Sequence, residues 1–125
     1  MILDTNALSA LLDEDAELRK MLGTTPTLHL PTIVLGEYRF GVKHSRNRRA
    51  LIPILDALEA DCVVLAVDSL TAREYADVRS ELRATGKPIP VNDTWIAALA
   101  RQHGLEIASK DAHFDCVAGI TRKEW

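Results

Sequence analysis

Cys62-Val63-Val64-Leu65-Ala66-Val67-Asp68-Ser69 is the stretch on which the fold turns. Six apolar residues run without a polar break and stop at Asp68-Ser69, either of which can cap a helix. A continuous apolar run, rather than an alternating one, predicts a strand covered on both faces. A long helix follows, from the Asp68 or Ser69 cap through Thr85, stopped by Gly86 and Pro88.

The same alternation extends in both directions. Downstream, Val91 to His103 reads as a helix ended by Gly104, with Asn92 available as its cap. Leu105 to Ala108 reads as a strand, and Ala118 to Arg122 as a last short one. Upstream, Met1 to Leu3 is a very short strand ending at Asp4. Asn6 to Leu12 and Ala16 to Leu22 are helices, with Asp13 to Asp15 at their junction and Gly23 as the stop. Leu28 to Leu30 is a strand between Pro26 and Pro31. Thr32 to His44, with Thr32 as cap, and Asn47 to Ala60 are further helices. Strands alternating with helices call for a three-layer α/β/α sandwich around a mostly parallel sheet. In such sheets ligands bind beyond the carboxyl ends of the strands, so the residues just after strands carry the functional reading.

The 125 residues fit one domain spanning 1–125. Apolar residues at 47% and charged residues at 26% are ordinary for a water-soluble fold. No apolar run reaches the ~18 residues of a membrane span. The opening MILDTNALSALL has neither a basic segment nor a small-residue cleavage site, so the expected compartment is the cytoplasm. Cys62 and Cys116 form no CxxC pair or Cys/His cluster, which argues for two reduced, partly buried thiols rather than zinc ligands. A net charge of −3 does not describe a protein coated for nucleic acid, although acids concentrated in a site can mask a basic surface elsewhere.

Four carboxylates stand out. Asp4 directly follows the first strand, and Asp111 follows the strand Leu105 to Ala108, so both fall on one edge of a parallel sheet. An Asp after a strand also serves as a helix cap. On a wheel of about 100° per residue, Arg39 and Lys43 mark the wet face of the third helix, and Ile33, Val34, Phe40 and Gly41 the dry one. Glu37 falls in the dry arc, where a carboxylate needs a partner or a metal. Asp93 lies with Ile96, Ala97 and Ala100, opposite Thr94, Arg101 and Gln102; it also sits in a first turn, where it opposes the helix dipole. Like charges ~4 Å apart repel by about 1 kcal/mol even in water. Converging carboxylates therefore call for a cation, and all-oxygen ligands suit Mg²⁺ or Mn²⁺.

Leu3-Asp4-Thr5-Asn6, Leu35-Gly36-Glu37, Asn92-Asp93-Thr94-Trp95-Ile96-Ala97-Ala98 and Ser109-Lys110-Asp111-Ala112-His113-Phe114 resemble, in order and spacing, the signature blocks of PIN-domain nucleases, in particular the VapC-like toxins of toxin–antitoxin pairs. The resemblance covers the whole chain. It implies a parallel α/β/α sandwich and a metal-dependent endoribonuclease. Catalytic and metal-holding positions would be Asp4, Glu37, Asp93 and Asp111, around one or two Mg²⁺ or Mn²⁺ ions. Asn6 and Ser109 resemble the family's polar helpers, Ser109 standing where Thr is more usual, and Asp115 is a candidate outer acid. A metal-activated water, oriented by Asp93 or Asp111, would attack the RNA phosphodiester in line. The resemblance also implies a small VapB-like antitoxin that blocks the pocket, and a homodimer. The residues themselves add only surplus apolar positions on the helices from Val34 to Val42 and from Ser69 to Arg83.

Basic charge is clustered at Arg39, Lys43, Arg46, Arg48 and Arg49, with no acid between them; the segment could grip RNA phosphates or an antitoxin. Arg79, Arg83 and Lys87 form a weaker stripe. Tyr38 could stack on a base, whereas Phe40 is expected in the core, and Tyr75 and Trp95 in the core or a dimer interface. His29, His44 and His103 read as surface or packing residues and His113 as part of the C-terminal turn, none with a catalytic spacing.

Other readings compete. A phosphatase with a nucleophilic Asp after its first strand needs a second Asp where Asn6 stands. A receiver-like signalling domain phosphorylated on Asp68 suits the size, yet has one acid, Asp4, where an acidic pair is required, and leaves Glu37 and Asp93 idle. A catalytically silent PIN-fold binding module would have no reason to keep all four acids.

Overall fold

The computed structural model describes residues 1–125. Its order is β1 (Ile2–Leu3), α1 (Thr5–Leu12), α2 (Ala16–Leu22), β2 (His29–Pro31), α3 (Thr32–Lys43), α4 (Arg48–Asp61), β3 (Val63–Leu65), α5 (Ser69–Ala84), α6 (Val91–His103), β4 (Ile107–Ala108), a 3₁₀ turn (Ala112–Cys116) and β5 (Arg122–Lys123). The strands form one sheet in the order β3-β2-β1-β4-β5, with every neighbouring pair parallel. Helices flank this sheet, so the α/β/α expectation holds. The core joins Ile2, Leu3, Leu30, Leu65, Ile107 and Ala108 of the sheet to Leu8, Val34, Leu55, Val78, Ile96 and Leu99 of the helices. No helix is long and apolar enough to cross a membrane.

The topology places the site. From β1 the chain moves outward through β2 to β3, then returns through α5 and α6 to β4 on the other side of β1. The order therefore reverses between β1 and β4, and a crevice opens at the carboxyl ends of those two strands. Asp4 leaves β1 there, and Ser109 leaves β4.

Several local expectations hold. Asp68 caps α5 through a reciprocal box: its Oδ1 accepts the Thr71 N–H at 3.0 Å, and Thr71 Oγ1 accepts the Asp68 N–H at 3.0 Å. Gly104 ends α6 at φ +63°, a left-handed conformation that favours glycine.

Others are corrected. The apolar run at 62–67 is not covered on both faces: β3 is an edge strand of three residues, and Val63, Val64 and Val67 are exposed at 46%, 41% and 39%. Its apolar character marks an uncovered surface rather than a central position. Thr32 does not cap α3, nor Asn92 α6; Pro31 and Pro90 hold those places, their rings pre-setting the backbone at helix entry. The last strand starts at Arg122 rather than Ala118; Ala118 and Gly119 form a turn, and the Thr121 carbonyl accepts the Ile107 N–H at 2.9 Å just before the strand. Cys62 is half-buried as expected, whereas Cys116 is exposed.

Candidate active site

Asp4 is the buried centre of the crevice, 4% exposed. Its Oδ1 accepts the Ala7 N–H at 2.7 Å, so it caps α1, and its Oδ2 accepts the Ser109 hydroxyl. Capping and site duty are thus compatible in one side chain. Ser109, fully buried, also accepts the Asp111 N–H at 2.9 Å, which ties β1 to the segment after β4. Asp111 in turn caps the 3₁₀ turn by accepting the His113 N–H at 2.9 Å.

Asp93, in the first turn of α6, joins the same group of acids. His113 lies between it and Asp111: its Nδ1 is 3.0 Å from Asp111 Oδ1 and 3.4 Å from Asp93 Oδ2. Ligand atoms of Asp93, Asp111 and His113 all fall within 4.8 Å of one another. The reading of His113 as a mere turn residue is therefore incomplete. The turn is what presents it to the acids, and no spacing in the sequence announces a contact between positions 93 and 113.

Glu37 joins from α3, but not from a dry arc. The buried face of that helix is Val34, Leu35 and Val42, while Phe40 (68% exposed) and Gly41 face solvent. Glu37 sits half-buried at the rim, and its two oxygens are both held: Thr5 Oγ1 donates to Oε2 at 2.6 Å, and the Asn92 amide donates to Oε1. Thr5 has no role in the sequence reading and Asn92 only that of a helix cap, although each adjoins a candidate acid. Asn6 is exposed beside Thr5 and lines a groove of about 410 Å³ with Ser9, Glu37, Tyr38 and Ser45.

The acids act on one another electrically. Burial pushes the Asp4 carboxyl above its ordinary value; hydrogen bonds from Ser109 and Ala7 oppose this, and the charges of Asp93 and Asp111 add to it. Burial likewise raises Asp93, opposed by His113 and reinforced by Asp111 and Glu37. No lysine or arginine forms an ion pair with any of the four. A buried carboxylate flanked by others, without a fixed cation, fits a site for a hard divalent ion.

Two outlying candidates are engaged elsewhere. Arg122 holds Asp115 through two contacts of 2.8 Å and also donates to the Ser109 carbonyl at 3.1 Å, so Asp115 clamps the C-terminal strand. Arg39 pairs with Asp56 at 2.8 Å and with Glu59, which takes it out of the free basic group. Lys43, Arg46, Arg48 and Arg49 make no ion pairs and remain exposed around the α3–α4 turn. Tyr75 and Trp95 stack on each other with ring centroids 3.9 Å apart. Thr94 is buried rather than on a wet face, its hydroxyl donating to the Pro90 carbonyl at 3.0 Å.

The family model for the PIN domain matches residues 1–120. The chain belongs to the PIN-domain family. VapC ribonuclease Y4jK of Sinorhizobium fredii is 30% identical, across 96% of this chain and 93% of its own. Ribonuclease VapC4 of Mycobacterium tuberculosis is 35% identical, across 70% of this chain and 69% of its own. The crystal structure of VapBC-5, a member of the VapBC family of toxin–antitoxin systems from Mycobacterium tuberculosis, superposes with a TM-score of 0.78 at 28% identity, covering 99% of this chain and 97% of that one. These relatives put this PIN domain in the VapC ribonuclease branch. The receiver-like alternative falls with that assignment, and Asp68 keeps its role as a helix cap.

Proposed function

We propose that this PIN-domain chain is an endoribonuclease that depends on Mg²⁺ or Mn²⁺ and acts as the toxin of a toxin–antitoxin pair. The observation that carries the reading is the meeting of Asp4, Glu37, Asp93 and Asp111 at the β1–β4 crevice with no lysine or arginine paired to them. Asp4, Asp93 and Asp111 would hold the ion, with Glu37 completing the set from the rim. When bound, the ion would supply neutralisation of charge on the scissile phosphodiester and ease ionisation of the attacking water.

The chain's own residues do the rest. Ser109 fixes Asp4 and the backbone of Asp111, while Thr5 and Asn92 fix Glu37. Asp93 or Asp111 orients the water and takes its proton as the water oxygen bonds to phosphorus and the P–O bond to the leaving oxygen breaks, that oxygen taking a proton from solvent. The groove past Glu37 and Tyr38 leads toward Ser45 and Leu51, beside the unpaired Arg46, Arg48 and Arg49. That path supports RNA lying from the basic turn into the acidic crevice. The exposed Phe40 and Ile52, which line one groove with Leu55, support an antitoxin seated on the outer side of α3 and α4. A homodimer and a cytoplasmic location complete the reading.

Expression of the chain alone should arrest growth, and sequencing of RNA ends after induction should reveal new 5′ termini at defined sites. Asp4→Asn and Asp93→Asn should abolish both effects. Arrest that persists in both variants would refute a carboxylate-metal nuclease.

A further inference from the structure

His113 is the one nitrogen ligand within the acidic crevice, and its position matches a role that the four carboxylates leave open. Its Nδ1 stands 3.0 Å from Asp111 Oδ1 and 3.4 Å from Asp93 Oδ2. A cation bound at ~2.1 Å by oxygen and nitrogen ligands places adjacent ligand atoms about 3 Å apart. His113 Nδ1 is therefore spaced as a neighbour of each carboxylate around one ion, and all three ligand atoms lie within 4.8 Å of one another. The side chain is exposed, at 49%, and its backbone N–H is anchored on Asp111 at 2.9 Å, so the turn that carries the ring holds it beside the acids. Asp4, 4% exposed, has no lysine or arginine paired to it.

Resting on the metal-nuclease reading above, we infer that His113 Nδ1 enters the metal shell with Asp93 and Asp111, and that this nitrogen makes the site favour Mn²⁺ over Mg²⁺. Carboxylate and water ligands serve both ions, whereas imidazole favours first-row transition ions and adds little for Mg²⁺. An all-carboxylate crevice would not discriminate in this way. His113 thus sets which metal loads the enzyme.

Calorimetric titration of the chelator-treated full chain with MnCl₂ and with MgCl₂ tests this, using the wild type, His113→Ala and Asp93→Asn. His113→Ala should weaken Mn²⁺ binding by about tenfold or more, the least expected when a metal's immediate surroundings are altered, and should leave Mg²⁺ binding within about threefold. Spin-echo spectra of the Mn²⁺ complex should show nitrogen modulation in the wild type and none in His113→Ala. Equal losses for both ions, or no nitrogen modulation in the wild type, would overturn the ligand role while leaving the nuclease reading intact. Failure of either ion to bind the wild type, or undiminished binding by Asp93→Asn, would instead overturn the metal reading itself.

Discussion

The Ser109 hydroxyl donates to Asp4 Oδ2 across 105 residues of chain, and the same oxygen accepts the Asp111 N–H at 2.9 Å. One buried oxygen thus aligns the acid leaving β1 with the acid leaving β4. Ser109→Ala removes a hydrogen bond to a charged group inside the crevice, an interaction worth about 1.5–3 kcal/mol. Urea unfolding at neutral pH should register a loss of that order. Because Ser109 also counteracts the rise in Asp4's proton affinity, the variant's cleavage rate should fall most steeply on the acid side of its pH profile.

Glu37 depends on two neighbours in the same manner, but at the surface. Thr5 and the Asn92 amide each hold one of its oxygens. Thr5→Val and Asn92→Ala should each cost about 10–100-fold in metal affinity or activity, as losses in the surroundings of a metal ligand do. Melting temperatures should shift little, since neither side chain belongs to the core. A large melting shift with unchanged activity would show that these contacts serve folding instead.

Much of this architecture is legible in residue patterns, and the exceptions have physical causes. Asp68, Gly104 and the strand–helix alternation are local signals, and local signals are read well. The run from Cys62 to Val67 is misleading because apolar composition reports a need for cover without saying whether the sheet or a partner supplies it. Glu37 was assigned to a dry arc on the assumption that Phe40 and Gly41 are buried; both are exposed, and the true dry face is Val34, Leu35 and Val42. His113 is invisible as a site residue because its contact with Asp93 depends on how the 3₁₀ turn meets α6, a tertiary event that no spacing encodes.

Without metal, the crevice should destabilise the fold. Asp4 and Asp93 both bind protons more tightly in the folded chain than their ordinary value of 3.8. A group raised in this way favours the folded state at low pH, and that advantage is lost as pH climbs through the raised value. Asp15, Asp68, Glu81 and Asp115 are lowered and drive the opposite trend, yet they are shared by wild type and variant. Hence in chelator Asp93→Asn should melt at or above the wild-type temperature at neutral pH, with the gap narrowing toward pH 4. Millimolar Mn²⁺ should reverse the order, because only the wild type gains by linkage. A variant less stable than wild type in chelator at neutral pH would contradict this account.

The basic turn yields the most discriminating expectation for RNA binding. Arg46, Arg48 and Arg49 are exposed and unpaired, while Arg39 is occupied by Asp56 and Glu59. Each phosphate contact to a single strand contributes roughly 0.7 to the slope of log affinity against log salt. In the non-cleaving Asp93→Asn background, replacing all three arginines by alanine should weaken RNA binding and flatten that slope by about 2. Arg39→Ala should leave the slope unchanged and cost at most ~1 kcal/mol of stability, as exposed ion pairs do. Fluorescence anisotropy across a salt series distinguishes the two sets. If the triple variant keeps the wild-type slope but no longer binds the antitoxin, the turn serves the protein partner and RNA must enter the crevice from another side.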